Sequence, residues 1–358
     1  GAAVARPALA QPGNSRALAI AQIHDSSPAQ QDVSKDFLIG SRAAWQDINT
    51  KGGVRGRPVQ HLAIEVNGTA AGVRSAIVQV RDNPSCVALS GTCGDPAATA
   101  VLQALRQENL GIAHVAPWLQ NSSVELDDRT FAIFAARQEQ VAHAMKSLAA
   151  MGMQEVGAVY ASGVEESLYH ADVQRIATEL RLTLRAWRGE GDLVQLGRRL
   201  GAASPAILLF VGGTPELVQL TQGLDRQQRQ RYVVALADVN LQTMMQMGAA
   251  RHTPVIATQA VPMVTAGLPV VRAYRDTLAR LFDEPPTPLG LAGFIAARCT
   301  YEVLAEIEGA PTRATVLATF QRRAGVELGG YRVTFDPRRR AAAYVTQSML
   351  TQDGRVVG

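Results

Sequence analysis

The sequence predicts an α/β protein made of two units of similar design. Strand-like and helix-like segments alternate along most of the 358 residues. The alternation restarts at the same rhythm after a polar stretch at residues 118–128. The chain is also too long for one ordinary core, which makes two domains the expectation. Hydrophobic residues make up 47% and charged residues 18%, a globular balance rather than a disordered one.

The first unit opens with an apolar strand at residues 18–23, a polar loop at 24–35 and then a helix. Phe37, Ala44, Trp45 and Ile48 share one stripe of that helix, and Arg42, Gln46 and Asp47 lie off it. Residues 49–53 stop the helix with side chains that tolerate positive φ, and residues 59–66 form the next strand. Strand, helix and strand in that order make a right-handed crossover in a parallel sheet. Such sheets bind ligands beyond the carboxyl ends of their strands, so His24-Asp25-Ser26-Ser27-Pro28 is the first candidate site. A helix at 70–81, a strand at 87–90, a helix at 96–109 and a strand at 112–115 complete the unit. Asp95 reads as the N-cap of its helix, with Pro96 at the first helical position, where its missing N–H costs nothing. The loop at 118–128 is too long for a simple connection, and the unit boundary falls at Phe131-Ala132-Ile133-Phe134.

The second unit runs helix 138–150 (Val141, Met145 and Leu148 inward, Gly152 at its end), strand 156–160, helix 165–180 and strand 183–187. Helix 193–200, strand 206–211, helix 215–223 and strand 232–237 follow. Near 255–261 the chain leaves this unit for helices at 269–282, 288–308 and 312–323. Two terminal strands, 331–335 and 343–350, are separated by Asp336-Pro337. The C-terminal part returns to the first unit, which suggests two lobes linked by several strands.

Several function classes lack their signatures. No run of about 20 apolar residues spans a membrane. The 35 Lys and Arg against 31 Asp and Glu leave a net charge of only +4. The tight cluster Arg338-Arg339-Arg340 reads as a solvated turn, since a nucleic-acid face needs a broader basic surface with aromatic platforms. Cys86 and Cys93 bracket a strand that would hold their Cα atoms roughly 20 Å apart, too far for a disulfide. No CxxC or HxxxH metal spacing occurs. No GxGxxG follows the first strand, no P-loop occurs, and Ser90-Gly91-Thr92-Cys93-Gly94 has the wrong order for a nucleophile elbow. Cys93 is the one candidate nucleophile, with a small buried filler as the alternative. Asp25, Asp95 and Asp238 sit at strand-to-helix turns, where helix capping competes with general acid–base work. Neither a catalytic residue nor a cofactor is expected.

The run Gly40-Ser41-Arg42-Ala43-Ala44-Trp45-Gln46-Asp47-Ile48-Asn49-Thr50-Lys51-Gly52-Gly53-Val54-Arg55-Gly56 resembles the first-helix signature of type I periplasmic solute-binding proteins of the leucine/isoleucine/valine-binding branch. The ending, Tyr331-Arg332-Val333-Thr334-Phe335-Asp336 with Tyr344-Val345 and Asp353-Gly354, is similar as well. The order and spacing of elements match from about Leu18 onwards. The resemblance implies two Rossmann-like lobes with parallel central sheets, joined by three hinge crossovers and closing on a small-molecule ligand. It places residues 14–133 and 263–338 in one lobe and 134–262 and 339–358 in the other, behind a flexible tail at 1–13. It further implies export to the periplasm, action as a monomer and delivery of the ligand to the membrane permease of an ABC transporter. The small-residue-rich start, residues 1–10, fits the tail of a processed signal peptide. The same fold serves ligand-sensing regulators, so sensing remains an alternative to transport, with an α/β enzyme as a further one.

Carried over residue by residue, the site departs from its amino-acid-binding relatives. Those relatives hold the ligand carboxylate with Ser/Thr-rich turns, and here the turns read Thr92-Cys93-Gly94-Asp95 and Pro117-Trp118-Leu119-Gln120-Asn121. The stacking tyrosines of the second lobe fall near Val164 or Glu165 and near Thr214, and the ammonium-binding acid near Asp238. Asp95 at a helix N-terminus partly cancels the positive end that would hold a carboxylate. Trp118 either walls the cleft with an apolar face or packs under its own loop. These changes point to a neutral or apolar ligand, bulky or lipid-like, with a branched-chain amino acid or an amide as the alternative. The expected contacts are Asp25, Ser26, Gly94, Asp95, Trp118 and Gln120 from the first lobe. From the second they are Tyr160, Ser162, Glu165, Thr214 and Asp238.

Overall fold

A computed structural model describes residues 18–357 apart from 228, 249–251, 337–344 and 352–354. Arg338-Arg339-Arg340, Tyr344 and Asp353-Gly354 therefore lie outside the described residues, as does the tail at 1–13. Strands β1 (Leu18–Asp25), β2 (Val59–Val66), β3 (Cys86–Ser90), β4 (Ala113–Val115) and β5 (Thr130–Phe131) form an all-parallel sheet in the order β2-β1-β3-β4-β5. This sheet is the centre of the N-lobe. Strands β6 (Glu155–Tyr160), β7 (Thr183–Arg188), β8 (Ile207–Val211), β9 (Tyr232–Ala235) and β10 (Val255–Gln259) are parallel in the C-lobe. A small hairpin, β11 (Gly325–Glu327) with β12 (Arg332–Thr334), comes next. The chain then ends by adding β13 (Thr346–Leu350) and β14 (Val356–Val357) antiparallel to the C-lobe sheet, whose order is β14-β13-β10-β9-β8-β6-β7. The structure thus holds the two α/β lobes that the alternation predicts.

Both faces of each sheet are covered, as a mostly parallel sheet requires. In the N-lobe, α1 (Gln31–Thr50), α9 (Pro269–Leu281) and α10 (Pro288–Leu304) pack one face through Phe37, Trp45, Tyr274 and Phe294. On the other face α2 (Ala70–Arg81) and α3 (Asp95–Gln107) bury Val73, Ile77, Val101 and Leu105 against Ile23 and Leu89. In the C-lobe, α4 (Arg137–Ala150) and α5 (Gly163–Glu179) cover one face. The other is covered by α6 (Leu193–Arg199), α7 (Thr214–Leu224) and α8 (Leu241–Gln246). The last helix, α11 (Arg313–Gln321), adds Val316 and Phe320 to the N-lobe core.

Helices α1 and α10 meet backbone to backbone. A Cβ on Gly293 would stand 1.9 Å from the Phe37 carbonyl oxygen, and one on Gly40 would stand 1.8 Å from that of Gly290. Only glycine admits so close an approach. Ser41 Oγ seals the contact by donating to the Gly293 carbonyl (2.9 Å) and accepting from Gln22 Nε2 (2.9 Å).

The sequence reading differs from the structure at short or capped elements. Helix α1 starts at Gln31 rather than after Lys35, because the backbone N–H groups of Gln30 and Gln31 both donate to the Ser27 carbonyl. Asp95 is the first residue of α3 and Gly94 is its N-cap, with φ of 95°. The Asp95 carboxylate reaches away from its own helix to accept from the Gln120 N–H (2.6 Å). Strands β5 and β11 and helix α8 went unpredicted, being two, three and six residues long, too short to show a period.

All three cysteines are buried and free. His114 on β4 is fully buried and bonds Thr92 Oγ1 through Nε2 (2.8 Å). Burial holds its pKa down to about 4, from an ordinary 6.5. His61 is also pushed down to about 4, first by burial and then by Arg42 and His24. Between pH 6.5 and 4 the unfolded chain takes up protons that the folded chain refuses, so stability should fall as pH drops through that window. Urea unfolding midpoints measured across it should decline less steeply for His114→Gln than for the parent chain.

Candidate functional site

The carboxyl ends of the parallel strands of both lobes converge on the region where the lobes meet. In the N-lobe, β1 ends at Asp25, β3 leads through Thr92 and Cys93 to Gly94 and Asp95, and β4 leads to Trp118 and Gln120. In the C-lobe, β6 leads to Ser162, β8 to Thr214 and β9 to Asp238.

The densest contacts surround Asp238. Its Oδ1 accepts from Trp118 Nε1 (2.8 Å), and its Oδ2 accepts from Arg137 Nε (2.8 Å) and Nη2 (2.7 Å). The Arg137 guanidinium also lies over the Tyr169 ring at 4.9 Å. Burial works against the Arg137 charge, but Asp238, Tyr169 and Asp95 outweigh it and hold its pKa above the usual range. Trp118 is only 1% exposed, and its ring meets Phe134 (5.2 Å) and Phe37 (5.9 Å). The indole therefore packs among residues of other elements and uses its one polar atom to tie the lobes together. Below it, Gln140 Nε2 donates to Gln120 Oε1 (2.8 Å), while Gln140 Oε1 accepts from the Ala237 N–H (2.8 Å) and Thr258 Oγ1 (3.0 Å). A further tie joins Asn240 Nδ2 of the C-lobe to Asp36 Oδ2 of the N-lobe (2.6 Å).

Asp25 lies elsewhere along the cleft. It is 1% exposed; its Oδ1 accepts from the Ser27 N–H (2.9 Å), and its Oδ2 has no protein partner. Beside it, Gln30 Oε1 is buried and also without a protein partner. A Cβ placed on Gly94 would lie 3.2 Å from Asp25 Cβ and 3.3 Å from Gln30 Oε1, so these three residues pack together. From the C-lobe, Glu216 Oε2 folds over Gly213, whose Cβ position is 3.7 Å from the Ala29 carbonyl oxygen of the N-lobe. Glu216 Oε2 is likewise buried without a protein partner.

The remaining expected contacts hold local structure. Ser26 Oγ donates to the Val66 carbonyl (3.3 Å). Tyr160 is fully buried, with its hydroxyl 3.0 Å from His170 Nδ1. Ser162 caps α5 and donates to Glu165, and Thr214 Oγ1 accepts from the Asn240 N–H (2.9 Å). The structure thus brings together Asp25 with Gly94, and Trp118 with Asp238. Tyr160, Ser162 and Glu165 bond within the C-lobe. Arg137, Gln140, Gln30 and Glu216 were missed. Of these, Arg137 left a trace in the sequence, because a cation in the first turn of a helix opposes the dipole unless a carboxylate offsets it.

Asp95 is held up to about 6, chiefly by burial; the Gln120 N–H and Arg137 lower it in part, and Asp238 raises it. Its folded-state pKa is raised, so its contribution to stability is full below the ordinary value of 3.8 and is lost as pH rises through 6. Asp95→Asn keeps the acceptor for Gln120 and removes that loss. Relative to the parent chain, the variant should gain stability from pH 4 to 6 and then level off, as read from paired urea titrations.

The periplasmic binding protein family matches this sequence over residues 18–353. The chain belongs to that family. No curated protein matches it in sequence. Proteins of known structure share its fold at low identity. An extracellular ligand-binding receptor from Verminephrobacter eiseniae is 18% identical, with a TM-score of 0.84 over 96% of this chain and 100% of the other. A possible leucine/isoleucine/valine-binding protein from Rhodopirellula baltica is also 18% identical, with a TM-score of 0.82 over 98% of each chain. A fatty acid ABC transporter substrate-binding protein from Thermomonospora curvata is 14% identical, with a TM-score of 0.80 over 95% and 90%. Among the described residues of this family member, no helix is long and apolar enough to cross a membrane.

Proposed function

We propose that the protein is the periplasmic solute-binding component of an ABC importer, capturing a small organic ligand between its lobes without a chemical step. The pairing of the two sets of strand ends across one gap supports this reading, with Asp25, Gln30 and Asp95 on one side and Glu216 and Asp238 on the other. Ligand would contact one lobe first and favour closure through contacts available only when both lobes meet. The chain passes between the lobes after β5, after β10 and after β12, which makes those crossovers the hinge. The ligand is not a standard α-amino acid. Asp238 stands near the position where the resemblance puts the ammonium-binding acid, and Trp118 and Arg137 already fill both its oxygens.

The test is a melting-temperature screen over amino acids, amines, amides, aromatic acids and fatty acids, followed by small-angle scattering on each hit. A binding protein should show a melting temperature that climbs with ligand concentration. It should also show a smaller radius of gyration with ligand, and ligand recovered unchanged by mass spectrometry. Conversion of the ligand, or no concentration-dependent stabilisation by any class, would refute the reading.

A further inference from the structure

Three of the buried polar atoms left without a protein partner are acceptors where the lobes meet. Asp25 Oδ2, Gln30 Oε1 and Glu216 Oε2 are buried acceptors without a protein partner. Asp25 and Gln30 flank Gly94 on the N-lobe, and Glu216 reaches over Gly213 to the Ala29 backbone from the C-lobe. A buried acceptor with no donor is costly, and a buried carboxylate more so, unless a donor or a positive charge meets it. The nearby positive charge that could have served a ligand carboxylate, Arg137, is committed to Asp238 and Tyr169. The apolar surface that favoured a lipid-like ligand is committed too, since Trp118 packs against Phe37 and Phe134. A metal ion does not fit, because no three His, Cys, Asp or Glu side chains among the described residues converge as a ligand set.

We infer that the ligand is an organic cation, an amine or guanidinium compound without a carboxylate, whose N–H groups are held between Asp25 and Gln30 of the N-lobe and Glu216 of the C-lobe. The inference rests on the solute-binding reading above and deepens it. Because the two carboxylates come from opposite lobes, a bound cation offsets both only when the gap is shut. Charge neutralisation and closure are then one event.

Putrescine, agmatine and butylamine are the probes, with leucine, octanoate and butyramide as comparators, in thermal-shift and calorimetric titrations of the whole chain. At least one cationic probe should bind saturably, and more tightly than every comparator. Asp25→Asn and Glu216→Gln should each weaken that binding roughly tenfold or more, the cost of removing one partner of a buried charge contact. The melting temperature without ligand should change little for Glu216→Gln, so that this variant decides the matter if Asp25→Asn folds poorly. Tighter binding of leucine, octanoate or butyramide would overturn the inference while leaving the solute-binding reading standing. Unchanged amine affinity in Glu216→Gln would overturn it as well. Failure of all three amines would end the cationic assignment, whereas only failure of the wider screen would end the solute-binding reading.

Discussion

Arg137→Met is expected to lower the free energy of unfolding by about 3–5 kcal/mol. The side chain sits where two lobes, a tryptophan and a tyrosine meet, with 11% of its surface exposed and its guanidinium on a carboxylate that is itself 6% exposed. Removing the cation leaves Asp238 buried with only the Trp118 N–H to face it. That uncompensated charge is the dominant cost, far above the 0.2–1 kcal/mol typical of exposed pairs. Arg137→Met combined with Asp238→Asn keeps an acceptor for Trp118 and removes the stranded charge. The double variant should therefore regain at least half of the loss in urea-unfolding experiments. If it proves no more stable than the single variant, the pair is not what holds this corner.

Gly293→Ala should cost about 3 kcal/mol or more, although alanine is the better helix former by about 1 kcal/mol. The added methyl would lie 1.9 Å from a backbone oxygen of α1, where no rotamer change can relieve it. Helix α10 would have to move off α1, opening the interface that buries Phe37, Phe294 and Ala297. An alanine at Gly309, in a turn with open space around it, serves as a contrast, with only its φ of 75° to oppose it. Calorimetric melting curves should separate the two by several degrees.

The fold was legible because its longer elements carry their own periodicity. Helix α2 falls at the residues its apolar spacing marks, and the stripe of α1 through Phe37, Trp45 and Ile48 is the face it buries. Glycines and prolines located most boundaries. The elements that escaped are too short to repeat a pattern, and they exist because a neighbour pairs with them. Strand β5, for instance, is two residues laid beside His114 and Val115.

The site was legible only as far as topology reaches. Strand ends pointed to Asp25, Gly94, Asp95 and Asp238, since a parallel sheet delivers its turns to one edge. Pairing between distant stretches of the chain is a different matter. Arg137 finds its carboxylate 101 residues along the chain, and Trp118 finds the same group 120 residues along. Nothing local in either stretch announces the other. The alternatives for Trp118 could not be resolved from its neighbours in sequence for the same reason, as the rings that enclose it come from α1 and from the crossover after β5.

The contact between α1 and α10 also bears on the order in which the molecule can assemble. Ser41 bonds Gly293, 252 positions further along, and Arg55 reaches the Ala305 carbonyl, 250 positions further along. Strands β6 to β10, by comparison, lie within one uninterrupted stretch, residues 155–259. During synthesis the earlier-made sheet must therefore wait with one flank uncovered until α10 has been delivered, while strands β6 to β10 of the later-made sheet can pair as they emerge. Long-range closure is slow, and an uncovered apolar flank is a hazard while it lasts. A lobe whose covering helix is made so much later than its sheet has reason to be kept unfolded, or escorted, until that helix arrives.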